Sequence, residues 1–254
     1  VIHRKDYTFI MSEKLHRGSS GNYSIARKTM EKGTLLRTYS PAGFFYIDRV
    51  NSSMPVVMLL NGGCPVMSDT PMEQEGLRIP VIAAHGDVLT MGLGIGLFPT
   101  LLREHNKTVK SITIVESSKH VAKLVYEHIA NSHTELIVSE GKKFLSTCKK
   151  KYDFIFIDVW NAFTTTIKEI DEWTELAKPC LREGGEVRCW LQELYDRIKD
   201  KLPTEPAEPT GLPAIYAPCL ICGKKLRNDY AGLCMDCADD MEVSEMYIRR
   251  KDVL

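Results

Sequence analysis

Apolar and polar positions change rhythm twice along this chain. Up to about residue 33 the sequence is polar and carries no clear period. Three short apolar runs follow: TLLRTY (34–39), GFFYID (43–48) and PVVMLL (55–60), each of strand length. Asn61-Gly62-Gly63 separates the last of these from CPVM. Asn-Gly readily adopts the positive φ angles of a tight turn, so the spacing predicts a hairpin over 55–67. Residues 1–80 are expected to form an N-terminal segment of β-hairpins.

From residue 86 strand-length runs alternate with helix-spaced ones. DVLTMG (87–92), SITIVE (111–116), ELIVSE (135–140) and YDFIFIDVW (152–160) are the strand candidates. Between them, Val121, Leu124, Val125 and Ile129 fall on one helical face, as do Ile167, Ile170, Trp173 and Leu176 further on. FIFI is apolar at every position, which suits a parallel strand covered on both sides. REGGEVRCWL adds a fifth strand and QELYDRIKDKL a last helix. The pattern predicts a doubly wound α/β domain over 81–202. Five prolines in PTEPAEPTGLPAIYAP make 203–218 a stiff linker, and 219–254 a separate small module.

Composition narrows the partners. The 33 basic and 33 acidic side chains cancel, so no overall field draws the chain to nucleic acid or to an anionic surface. Lys149-Lys150-Lys151 reads as a solvated helix end. No apolar run reaches the ~20 residues of a membrane span. The opening residues are too polar for a secretory signal, and Val1 in place of Met is expected of a trimmed or partial chain. Of eight cysteines, Cys64, Cys148, Cys180 and Cys189 stand among apolar neighbours as reduced core cysteines do. A reducing, cytoplasmic setting is expected.

The chemistry concentrates at the ends of the predicted strands. In Gly92-Leu93-Gly94-Ile95-Gly96 the glycines alternate, and Leu97 stands where a dinucleotide site requires its third glycine. The spacing suits close approach of a ligand without a pyrophosphate. Glu116, followed by Ser117, ends the second strand at a place suited to ribose hydroxyls. Glu140-Gly141 ends the third, where an adenine edge can be met, and Asp158 ends the fourth, beside the reacting end of any ligand in the cleft.

VLTMGLGIG, ITIVESS, LIVSEGKKFL, YDFIFIDVW and LREGGEV together resemble the successive motifs of class I S-adenosylmethionine-dependent methyltransferases. The resemblance is closest to the spermidine-synthase-like branch, whose hairpin and acidic turn are similar to VVMLLNGGCPVMSDTPMEQ. It covers roughly residues 55–190. It implies a Rossmann-like sheet in which Gly92, Gly94 and Gly96 border the methionine part of S-adenosylmethionine, Glu116 holds the ribose, Glu140 the adenine side, and Asp158 faces the transferred group. Methylation of an unidentified acceptor is the leading expectation, with Asp158 as base or positioning group. Aminopropyl transfer from decarboxylated S-adenosylmethionine is the alternative. Against it, the resemblance leads one to expect an Asp within the glycine motif and another three residues after Asp158, where this chain has Ile95 and Asn161. Trp160 and Phe163 are core or stacking residues. A non-catalytic scaffold of the same fold is a third reading.

Cys219-x2-Cys222 and Cys234-x2-Cys237, eleven residues apart, offer four thiolates to one ion. Such a set suits tetrahedral Zn²⁺ with no open position, hence a structural zinc ribbon. Its surface is expected to stabilise the fold or contact a protein; nucleic acid is not indicated, because DDMEVSE offsets Lys224, Lys225 and Arg227.

Overall fold

The computed structural model describes residues 9–40, 44–50, 52–159, 167–190 and 192–198. The linker, the four-cysteine module, Trp160, Asn161 and Phe163 lie outside the described residues.

The N-terminal part begins with α1 (Ile10–Lys14), β1 (Gly18–Ser20), β2 (Tyr23–Met30), β3 (Leu35–Ser40) and β4 (Phe44–Arg49). β5 (Met54–Asn61) and β6 (Cys64–Ser68) follow, joined at Gly62 and Gly63, whose φ angles of 57° and 86° make the turn. Two antiparallel sheets result: β1-β2-β5-β6, and the β3-β4 pair. Cys64, expected among apolar neighbours, is exposed at this turn. A turn residue has solvent on both sides, so its apolar neighbours in sequence do not cover it.

α2 (Pro71–Ala83) leads into the second part. Pro71 opens the helix at a position where its missing N–H has no partner to lose. Four hydrogen bonds fix its placement. Asp69 Oδ1 accepts the Val57 N–H at 2.8 Å, the Gln74 side chain donates to the Asp69 carbonyl at 2.8 Å, and Asn106 donates to the carbonyls of Val81 and Ala84 at 2.7 and 2.6 Å.

Then come β7 (Gly86–Met91), α3 (Leu97–His105), β8 (Val109–Glu116), α4 (Lys119–Ile129), β9 (Thr134–Val138), α5 (Gly141–Thr147), β10 (Tyr152–Ile157), α6 (Ile167–Ala177), β11 (Leu181–Cys189) and α7 (Gln192–Ile198). The five strands form one parallel sheet ordered β11-β10-β7-β8-β9, the α/β Rossmann-like arrangement the apolar runs predict. Phe154, Ile155, Phe156 and Ile157 are all fully buried, as a strand covered on both faces requires. Phe98 of α3 packs on Phe156 with ring centroids 4.2 Å apart. β9 stops at Val138, two residues before the predicted end, because Glu140 is already the cap of α5.

The chain winds outward from β7 through β8 and β9, then crosses back to β10. The switch point therefore lies between the ends of β7 and β10, where ligands sit in such sheets. Among the described residues no helix is long and apolar enough to cross a membrane.

Candidate active site

β7 ends in the glycine turn, and the turn passes directly against the end of β10. A Cβ on Gly92 (φ 97°) would lie 2.2 Å from the Asp158 carbonyl oxygen, so no other residue fits without moving a strand end. Gly94 (φ 52°) faces the N-terminal sheet instead. Its absent Cβ would be 2.1 Å from the Met67 sulfur, and that sulfur accepts the Ile95 N–H at 3.5 Å. β6 thus roofs the turn.

Between the turn, the strand ends and this roof lies a cavity of about 790 Å³. Of the residues read from sequence as cofactor-binding, Gly92, Gly94, Glu116, Ser117, Glu140, Gly141 and Asp158 all line it. Leu93 and Gly96 do not. The Leu93 side chain is buried in the core, and only its N–H serves the site. Gly96 caps α3 and admits α4: a Cβ there would meet Ile129 at 2.9 Å, so this glycine serves helix packing rather than the ligand. Ile95 is fully buried and its side chain belongs to the core.

The acids differ in what they already hold. Glu116 is buried and accepts the N–H groups of Leu93 at 2.9 Å and Ser118 at 2.8 Å, one on each oxygen. A carboxylate has about four acceptor positions, so two remain for hydroxyl donors of a ligand. Glu140 caps α5, accepting the N–H groups of Lys143 at 2.6 Å and Lys142 at 3.1 Å, and these bonds hold its carboxyl below the usual range. It borders the cavity as a helix cap, a role that a strand-end acid does not announce in sequence.

Asp158 is different. Its backbone N–H donates to Met91 at 2.9 Å, but its carboxyl has no hydrogen-bond or ion-pair partner among the described residues, and burial pushes it up to about 7. Glu73, from the first turn of α2, is the residue that sequence reading missed. It lines the same cavity, equally without a partner among the described residues, and is pushed up to about 8, first by burial and then by the charge of Asp158. The sequence signal was the acidic turn SDTPMEQ, but only the path of α2 identifies which of its acids enters the cavity.

Every formally charged side chain lining the cavity, among the described residues, is a carboxyl: Glu73, Glu116, Glu140 and Asp158. Between them the walls are mainly apolar or aromatic, with Tyr23, Met58 and Met72 from the N-terminal side and Trp173 and Trp190 from the parallel domain, and Ser68, Ser117 and Ser139 add hydroxyls. The arrangement suits a ligand with a nucleoside at the Glu116 end and positive charge on a slender aliphatic part at the Glu73–Asp158 end.

No family model matches the chain. Over 158 residues it is 26% identical to the polyamine aminopropyltransferase 2 of Hyperthermus butylicus, covering 56% of this chain and 46% of that protein. Over 150 residues it is 30% identical to the polyamine aminopropyltransferase of Pseudomonas syringae pv. tomato, covering 53% and 51%. The chain spans about half the length of these curated relatives. Among solved structures it is similar to the spermidine synthase of Thermotoga maritima, with a TM-score of 0.43 and 16% identity over 70% of each chain.

Proposed function

We propose that the protein is a transferase that moves an aminopropyl group from decarboxylated S-adenosylmethionine to an aliphatic amine. The observation that carries this reading is the pair of half-buried carboxyls of Glu73 and Asp158, unpartnered among the described residues, that line one acid-rich cavity. S-adenosylmethionine itself would bring a third carboxylate towards that end, where repulsion opposes it; the decarboxylated donor brings only an ammonium group. The names of the curated relatives agree with this reading.

The residues fit such a donor. Glu116, oriented by the Leu93 and Ser118 N–H groups, would hold the ribose, and Ser139, Glu140 and Gly141, which line the same cavity, would border the adenine side. When bound, a sulfonium donor supplies a carbon already activated for displacement and a neutral thioether as leaving group. What remains for the protein is positioning and one proton. An aliphatic amine arrives as an ammonium and must lose a proton before its nitrogen can attack. Asp158, with its carboxyl near neutrality, is suited to accept that proton.

The sequence favoured methyl transfer because Ile95 and Asn161 stand where the resemblance leads one to expect acids, one in the glycine turn and one three residues after Asp158. Glu73 supplies an acid to the cavity from another element, which answers the first of these; Asn161 lies outside the described residues. Titration with both donors, followed by mass spectrometry of products formed from a panel of di- and polyamines, tests the reading. Tighter binding of the decarboxylated donor and an aminopropyl mass increment are expected. Preference for S-adenosylmethionine, or a methylated product, returns the chain to the methyltransferase reading.

The four-cysteine module enters as a proposal from sequence alone: one structural Zn²⁺ on Cys219, Cys222, Cys234 and Cys237, with protein contact as its use.

A further inference from the structure

We propose that Glu73 is the specificity-determining residue of the site: with Asp158 it forms a carboxyl pair that shares one proton when empty and exchanges it for the ligand's ammonium group. The inference rests on the aminopropyl reading and deepens it, assigning to α2 a role the glycine turn does not fill.

Placement comes first. Neighbouring acids are already engaged in the structure. Glu75 pairs with Arg78 at 3.3 Å, Glu116 holds two backbone N–H groups, Glu140 caps α5, and Asp69 holds the Val57 N–H. Glu73 and Asp158 hold nothing comparable among the described residues, yet both line the cavity near enough for the charge on Asp158 to act on Glu73. At the turn, Ile95 points into the core and Gly94 is covered by Met67, so the turn offers no charge to a ligand's tail.

The surroundings decide the charge state. Glu73 comes from α2, Asp158 from the end of β10, Glu116 from β8 and Glu140 from the cap of α5. The Tyr23 phenol comes from β2. Behind Asp158, the thiol of Cys189 on β11 is pushed up to about 12, mainly by burial, and stays neutral. No lysine, arginine or histidine among the described residues lines the cavity. Two half-buried carboxyls that face one cavity, with the charge of one acting on the other and, among the described residues, no cation lining the space between, do not ionise independently, so one proton stays with the pair while it is empty. An ammonium group between them removes the repulsion, and the proton leaves to solvent. A ligand ending in a carboxylate obtains no such exchange.

Calorimetry of the full chain at about pH 7.5, in buffers of different ionisation enthalpy, reads both parts of the proposal. Decarboxylated S-adenosylmethionine is expected to release up to about one proton, and 5′-methylthioadenosine, which lacks the ammonium group, close to none. Glu73→Gln is expected to weaken the decarboxylated donor about tenfold or more and to abolish most of the proton release, leaving methylthioadenosine affinity unchanged. The unchanged affinity also reports that the variant is folded. Should Glu73→Gln not fold, the wild-type pH profile replaces it: affinity for the decarboxylated donor rises through about pH 7–8 while that for methylthioadenosine stays level. Equal donor affinity in Glu73→Gln, or parallel pH profiles for the two ligands, overturns this inference and leaves the aminopropyl reading standing. Wild-type preference for S-adenosylmethionine removes both.

Discussion

The Leu93 N–H donates to Glu116 Oε2 at 2.9 Å, across 23 residues of sequence. The bond joins the glycine turn to the end of the neighbouring strand, so the acid read as a ribose ligand also shapes the turn.

Replacing Glu116 therefore has two effects. Glu116→Ala is expected to weaken any adenosyl ligand by about ten- to a hundredfold, the worth of hydrogen bonds to a charged acceptor. It should also lower the unfolding temperature, because the N–H groups of Leu93 and Ser118 lose their partner. Glu116→Gln keeps a side-chain oxygen and should recover part of the stability. Unaltered affinity in a folded alanine variant would remove Glu116 from the site.

Gly94 and Met67 should behave as a coupled pair. Gly94→Ala places a methyl group on the Met67 sulfur and forces an L residue to φ 52°. Met67→Ala in the same chain relieves the collision but not the backbone strain, which is about 1–2 kcal/mol. Urea unfolding of the two single variants and the double variant gives the coupling. Strictly additive losses would mean that Met67 does not sit on the turn.

Stability should fall with rising pH across the range where the carboxyl pair titrates. Glu73 and Asp158 have folded values near 8 and 7, above their usual values of 4.5 and 3.8. Between those limits the folded state holds more protons than the unfolded one, so ionisation favours unfolding, and the decline levels off above about pH 8. Glu73→Gln should thus be more stable than the wild type at about pH 8 and nearly equal to it at about pH 5. Thermal unfolding of the ligand-free protein measures this; a constant difference at both pH values would contradict it.

Elemental analysis addresses the cysteine module. Protein purified without added metal is expected to carry about one zinc per chain. A Cys222→Ser, Cys234→Ser double variant should lose it. Zinc retained in that variant, or absent from the wild type, rejects the assignment.

The parallel sheet was legible because each strand is a short apolar run between helix-spaced segments, and FIFI declares burial on both faces. Roles at the strand ends were less so. Glu140 and Asp158 look alike in sequence, each an acid closing an apolar run and each lining the cavity, yet one is spent as a helix cap and the other has no partner among the described residues. Only where the next helix begins decides between them. Gly94 and Gly96 are likewise indistinguishable until Met67 and Ile129 are seen against them. Glu73 was hidden for another reason: its place in the site depends on contacts between α2 and strands distant in sequence, which no local pattern records.

The roof of the cavity has a consequence for modularity. Tyr23, Met67 and Glu73 all precede residue 81, while the glycine turn, Glu116 and Asp158 follow it. Ser20 of β1 is hydrogen-bonded to His120 of α4 at 2.9 Å, so the N-terminal sheet is fastened to the parallel domain as well as covering it. The site is a seam between two chain segments, and neither segment is a portable cassette. A graft of the glycine-turn half onto another N-terminus would inherit Glu116 and Asp158 and leave behind Glu73, the carboxyl proposed to discriminate between donors.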